Sequence, residues 1–259
     1  MIPINRLINS IHLNLDLYFK KNIMRLLLSS NSTLFGEPYL QFCKDDINNF
    51  LHENKTIKVL FIPFAGVTFS YDEYLDKVIK GLDNSEITIT SIHQYQDKKS
   101  AITAADAIMV GGGNSFKLLN EIYQNDILET MQQQVKNGTP YIGWSAGSNL
   151  ACPTIKTTND MPIVCPPTFD ALNFIPFQIN PHYIHGNPPG YNGETREQRL
   201  LEFLEVNPTI AVVGLREGTI LQLDDNKLKL IGDKEARIFK HQQEFYELEA
   251  TSDFNFLLK

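Results

Sequence analysis

Cysteine is scarce in this 259-residue chain: Cys43, Cys152 and Cys165 make an odd number and show no metal-ligand spacing. That argues against a disulfide framework or a zinc site and fits a reducing, cytoplasmic setting. Dense blocks of lysine and arginine are also missing, and 23 basic against 30 acidic side chains leave a formal charge of −7. Neither a nucleic-acid footprint nor attraction to an anionic membrane surface follows from such a balance. No uninterrupted apolar run reaches the roughly 18 to 20 residues that span a bilayer. Internal repeats, low-complexity tracts and long Pro/Gly/Ser linkers are absent as well. The expected partner is therefore a small molecule, with no nucleic acid, membrane, cofactor or metal implied, and the expected state is a monomer or weak homodimer.

What the chain does have is alternation. Apolar, β-branched or aromatic runs recur at Leu26–Leu28, Val59–Pro63, Ile87–Ile92, Ala107–Val110, Tyr141–Gly143 and Thr209–Val213. Segments with helical spacing lie between them, at Asp72–Leu82, Ser115–Tyr123 and Ile127–Val135. A βαβα rhythm of this kind predicts an α/β fold with a mostly parallel, doubly covered sheet. Towards the end, Ile220–Leu223, Leu228–Ile231 and Arg237–Lys240 are short strand-like pieces joined by turn residues, which predicts an antiparallel C-terminal edge. Residues 1–23 lack the ordered regions of a secretory signal. They read as an N-terminal extension, either an amphipathic helix or an upstream translated segment, ahead of one domain over 24–259.

The chemistry concentrates in a few places. Gly143-Trp144-Ser145-Ala146-Gly147 follows an apolar run and precedes a helix-compatible stretch, the pattern of a nucleophile elbow, although G-x-S-x-G also occurs in ordinary turns. Ser145 is the candidate nucleophile, and the Ala146 N–H points where an oxyanion would form. Ala107–Val110 runs into Gly111-Gly112-Gly113 and a helix start, either a plain strand-to-helix turn, a phosphate cradle or a second oxyanion donor. Neither P-loop nor dinucleotide glycine spacing is present, which favours Gly113 N–H as that donor.

A serine hydroxyl needs an imidazole to take its proton. His182 follows a strand-like run and a proline and leads the candidates, ahead of His185 in its looser setting. Two carboxylates compete to orient the ring: Asp160 in a polar turn behind the elbow, and Glu217 directly after the run Thr209–Val213. The strand-end position favours Glu217 geometrically, while Asp160 has the alternatives of capping a turn or binding an amino group.

These motifs carry a resemblance. Gly143–Ile155, Thr157–Val164, Asn180-Pro181-His182 and Gly193–Arg199, with Leu28–Thr33, Phe61–Val67 and Gly111–Asn114, resemble bacterial peptidase E, the α-aspartyl dipeptidases. The resemblance covers the chain from Met24 onward. It implies a class I glutamine amidotransferase-like fold and a cytoplasmic serine exopeptidase acting on dipeptides with N-terminal aspartate, with Ser145 as nucleophile and His182 as base. Family assignments of the acid point both to the position of Asp160 and to that of Glu217.

Selectivity for an aspartyl side chain requires a cation, because a carboxylate stripped of water without a partner is severely penalised. Arg196 is the choice, with Asn114 as a neutral donor; its alternative is a surface ion pair with Glu194 or Glu197. For the substrate's free amine, Glu194 and Asp160 are candidates. Competing readings are a hydrolase of the cyanophycinase or β-aspartyl type, an esterase of the α/β-hydrolase type, and a non-catalytic binding protein on the same scaffold.

Overall fold

A computed structural model describes residues 24–187, 190 and 192–259. The expectation for residues 1–23 lies outside them.

Strands buried along nearly their whole length build the central layer. A seven-stranded sheet runs in the order β3-β2-β4-β5-β1-β8-β9. Its strands are β1 (Arg25–Ser29), β2 (Lys58–Ile62), β3 (Thr88–Ser91), β4 (Ala107–Val110), β5 (Tyr141–Trp144), β8 (Ile220–Asp224) and β9 (Lys227–Ile231). The first five are mutually parallel, and β8 and β9 add antiparallel pairs on the β1 side, as expected.

Successive side chains on these strands enter opposite cores. Leu26, Leu28, Leu60, Ile62, Ile108 and Val110 join one apolar cluster, while Leu27, Val59, Phe61, Ala107 and Met109 join the other. Both faces therefore need cover, which is why the strands read as nearly continuous apolar runs. Helices α1 (Lys44–Glu53) and α2 (Tyr71–Leu82) cover one face, and α3 (Lys98–Ala104), α4 (Ser115–Gln124) and α5 (Leu128–Lys136) the other.

The C-terminal part departs from expectation. Thr209–Val213 was expected within the parallel rhythm and Arg237–Lys240 within the antiparallel edge of the same sheet. Both belong instead to a second, four-stranded sheet in the order β11-β10-β7-β6. It consists of β6 (Gln178–Asn180), β7 (Val212–Gly214), β10 (Ala236–Phe239) and β11 (Tyr246–Leu248). Strand β6 pairs in parallel with β7, and Asn180 stands opposite Gly214. That register brings the segments after both strands, which begin at Pro181 and Leu215, to the same end of the sheet.

Candidate active site

Ser145 sits between β5 and the short helix α6 (Ala146–Leu150), with φ 54° and ψ −113°. Such a conformation costs a non-glycine residue on the order of 1–3 kcal/mol and persists only where surroundings enforce it. Here the Ser145 N–H donates to the Ser29 carbonyl at 3.0 Å. The Tyr141 hydroxyl, buried beneath the bend, donates to the Gly147 carbonyl at 2.6 Å. Gly147 permits the bend because a Cβ at that position would lie 2.2 Å from the Val110 carbonyl oxygen. As the first residue of α6, Ala146 carries an N–H that the helix itself leaves unpaired.

His182 also holds a positive φ, 53°. Its main-chain N–H donates to the Ser30 hydroxyl at 2.9 Å, and that hydroxyl donates to the Leu215 carbonyl at 2.7 Å. Ser30, immediately after β1, thereby ties the histidine loop to the loop that carries Glu217. Asn31 adds a second tie by accepting the Gly218 N–H at 2.9 Å.

The three side chains stand in series. His182 Nε2 lies 2.8 Å from Ser145 Oγ, and His182 Nδ1 lies 2.7 Å from Glu217 Oε1. With a carboxylate at Nδ1, that nitrogen carries the proton and Nε2 offers its lone pair to the serine hydroxyl. Between the two sequence candidates, Glu217 is the one in contact with the ring. Asp160 instead accepts from the Ser115 N–H and hydroxyl, both at 2.7 Å, and from the Thr158 hydroxyl at 3.0 Å. As orienter of the imidazole, Asp160 is corrected: its bonds run to the N-terminus of α4 and to its own turn.

Asn114 is corrected in the same way. Its side-chain oxygen caps α4 by accepting the Lys117 N–H at 2.9 Å, and its amide donates to the Met161 carbonyl at 2.8 Å. One amide hydrogen is left over, but Asn114 is not among the residues that line the cleft, so the structure does not place it as a donor to substrate. Gly113, by contrast, faces the cleft with φ +135°, and a Cβ there would lie 2.2 Å from the Ala65 carbonyl oxygen.

Ser145, Ala146, His182, Glu217, Gly113 and Asp160 line one cleft of about 720 Å³, and Arg196 joins them. Arg196 opens helix α7 (Arg196–Val206), whose start is set by a capping box between Thr195 and Gln198. Its Nη1 is buried and has no hydrogen-bond partner among the described residues. Burial, followed by repulsion from Arg199, lowers the guanidinium pKa. The group stays protonated nonetheless, since arginine does not lose its charge in proteins. Among the described residues, Glu194 makes a long, exposed contact with Arg199 at 3.6 Å. Among the described residues no group of three or more His, Cys, Asp or Glu side chains is arranged to hold a metal ion.

Behind the histidine lies a charged network that sequence reasoning missed. The Tyr183 hydroxyl, His185 Nδ1 and Arg237 Nη1 all meet Glu197 Oε1, at 2.5, 2.7 and 3.2 Å. Arg237 Nε reaches Glu247 at 2.6 Å, and Arg216 holds Glu247 through two bonds of 2.7 and 2.8 Å. Tyr183 adjoins His182, Arg216 adjoins Glu217 and Glu197 adjoins Arg196, so one network braces the backbone beside three cleft side chains. Burial alone would raise the Glu197 pKa, but donors led by the Tyr183 hydroxyl outweigh it and hold the carboxyl at about 2. His185 thus belongs to the brace and not to the serine.

Comparison with known proteins places this geometry in a class. Residues 26–231 match the sequence model of Peptidase family S51. A peptidase E from Nostoc sp. is 49% identical over 235 residues, covering 91% of this chain and 97% of the relative. A peptidase E from Shewanella denitrificans is 50% identical over 229 residues, covering 88% and 97%. In fold, the crystal structure of a peptidase from an acI-B1 actinobacterium is similar at a TM-score of 0.68 and 15% identity, over 92% of this chain and 99% of that one. The α/β fold and these relatives define a peptidase, a hydrolase of peptide bonds. The chain belongs to Peptidase family S51.

Proposed function

We propose that this peptidase is a serine dipeptidase that removes N-terminal aspartate from Asp-Xaa dipeptides through an aspartyl-enzyme ester. The observation that carries the reading is Arg196, which lines the cleft that also holds Ser145 and whose Nη1 has no hydrogen-bond partner among the described residues. A half-buried guanidinium with a free N–H gains from a substrate carboxylate seated against it. Neutral side chains offer no such gain, which gives aspartate its advantage.

The chemistry runs through the in-line trio. Ser145 Oγ attacks the aspartyl carbonyl carbon as its proton passes to His182 Nε2, and Glu217 holds the imidazolium that results. The negative charge that develops on the carbonyl oxygen is received by the Gly113 and Ala146 N–H groups. Collapse breaks the C–N bond, and His182 returns its proton to the departing amine. Water then adds to the ester with its proton taken by the same nitrogen, and Ser145 recovers its hydrogen as aspartate leaves.

Exopeptidase action requires a counter-charge for the free α-ammonium. Asp160 supplies it: the three donors from Ser115 and Thr158 all bind Oδ2, which leaves Oδ1 for the substrate on the cleft wall. Three free cysteines at Cys43, Cys152 and Cys165 fit work in the cytoplasm. The deciding experiment is a substrate panel of Asp-Leu, Asn-Leu, Glu-Leu and β-Asp-Leu. Asp-Leu is expected to be cleaved at least roughly a hundredfold more efficiently than Asn-Leu, the range reached when a buried charge loses its partner. Equal turnover of Asn-Leu, or a preference for β-Asp-Leu, would overturn the reading.

A further inference from the structure

The amides along the glycine run after β4 divide into two kinds. Gly111 N–H donates to the Ile62 carbonyl at 3.1 Å and Asn114 N–H to the Ala65 carbonyl at 2.9 Å. Between them, the N–H groups of Gly112 and Gly113 have no partner among the described residues. The free pair lines the cleft at Ser145. Without a restraint, a peptide flanked by two glycines flips easily, because no Cβ resists the rotation.

Tyr74 is that restraint. It projects from α2, is 4% exposed, and its hydroxyl donates to the Gly112 carbonyl at 2.9 Å. The Trp144 indole N–H and the more distant Tyr39 hydroxyl donate to the Tyr74 oxygen at 3.2 and 3.4 Å, which leaves the Gly112 carbonyl as the acceptor for the phenol proton. Ring contacts with Phe61 at 4.9 Å and Phe69 at 5.0 Å between centroids lock the side chain. Burial raises the phenol pKa, so the hydroxyl remains a donor.

The Gly112 carbonyl and the Gly113 N–H are the two ends of one peptide unit. In a planar trans peptide they point in opposite directions, so a donor that holds the carbonyl on one side aims the N–H to the other. Hydrogen bonding to the carbonyl also polarises the amide and strengthens its N–H as a donor. We propose that Tyr74 is a positioning residue of the catalytic site, which orients the Gly112–Gly113 peptide so that its N–H receives the oxyanion. The inference rests on the acyl-transfer reading above.

Tyr74→Phe deletes the hydroxyl and keeps the ring among its neighbours. Two measurements on wild type and variant test it, after melting curves establish that both are folded at the assay temperature. The first is the steady-state kinetics of Asp-Leu hydrolysis. The second is the rate at which an alkyl fluorophosphonate labels Ser145: Oγ displaces fluoride from phosphorus, its proton goes to His182, and the phosphoryl oxygen takes the oxyanion position. Removing an oxyanion donor outright costs about 100- to 1000-fold, and leaving it present but unaimed costs less. Tyr74→Phe is therefore expected to lower both kcat and the labelling rate by roughly 10- to 100-fold, with KM within about twofold of wild type. Unchanged labelling, or a rise in KM with kcat intact, would overturn the role of Tyr74. A wild type that is labelled at Ser145 yet leaves Asp-Leu whole would refute the peptide substrate alone, and the labelling comparison would still decide Tyr74.

Discussion

Ser145 and His182 are held 2.8 Å apart, Oγ to Nε2, by two backbone positions that both have positive φ. Neither residue is glycine, so each bend is maintained against its own preference by the hydrogen bonds around Ser29, Ser30 and Tyr141. The strain has a use: each side chain leaves its strand end at an angle that regular backbone does not provide.

The two carboxylates should separate kinetically. Glu217→Gln keeps size but removes the charge that holds the imidazolium, and should lower kcat by about three to four orders of magnitude with little change in KM. Asp160→Asn should instead raise KM for Asp-Leu by about tenfold or more and change kcat less, as a lost ground-state contact does. Steady-state kinetics of both variants decide the matter. A collapse of kcat in Asp160→Asn with a near-normal Glu217→Gln would reverse the assignment.

Arg196→Ala should reduce kcat/KM for Asp-Leu by roughly a hundredfold or more with little change in melting temperature, because the half-buried side chain leaves its Nη1 without a hydrogen-bond partner among the described residues. Selectivity for Asp-Leu over Asn-Leu should vanish in the same variant. Retained selectivity would place the carboxylate elsewhere.

The brace at Glu197 should be visible as a pH effect. Its carboxyl is held at about 2 against an ordinary 4.5, so its contribution to stability is complete above the ordinary value and is lost as pH falls through the folded one. Melting curves from pH 7 to pH 2 should therefore show Glu197→Gln less stable than wild type at neutral pH, by roughly 2–3 kcal/mol. The gap should close as pH drops from about 4.5 towards 2. A constant gap would mean that the charge of Glu197 contributes nothing.

Gly147→Ala should destabilise the fold by about 3 kcal/mol or more in chemical denaturation, since the added Cβ would meet the Val110 carbonyl oxygen at 2.2 Å. A stability change below 1 kcal/mol would show that the bend tolerates a side chain.

The sequence made some of this legible. The elbow at Ser145 is a local pattern, and the parallel strands are marked by apolar runs because both sheet faces are buried. Glu217 and Asp160 were not separable by such means, since the choice depends on which loop faces the ring, and that is set by the β6–β7 pairing 35 residues from His182 to Glu217. The second sheet escaped because runs such as Thr209–Val213 and Arg237–Lys240 read as strands while nothing local shows which sheet they join; that is decided by long-range pairing such as β6 with β7. The network of Glu197, Arg237, Glu247 and Arg216 escaped because single charged residues on short elements read as solvated surface. Tyr74 escaped because its partner is a backbone carbonyl 38 residues away, which leaves no side-chain pattern to find.

Acid-quenched single-turnover mass spectrometry with an Asp-Xaa substrate tests the central claim most directly. An aspartyl ester that forms before product, maps to the peptide containing Ser145 and disappears in Ser145→Ala is the predicted result. Undiminished hydrolysis of the same substrate by Ser145→Ala, with no covalent species at any time, would contradict it.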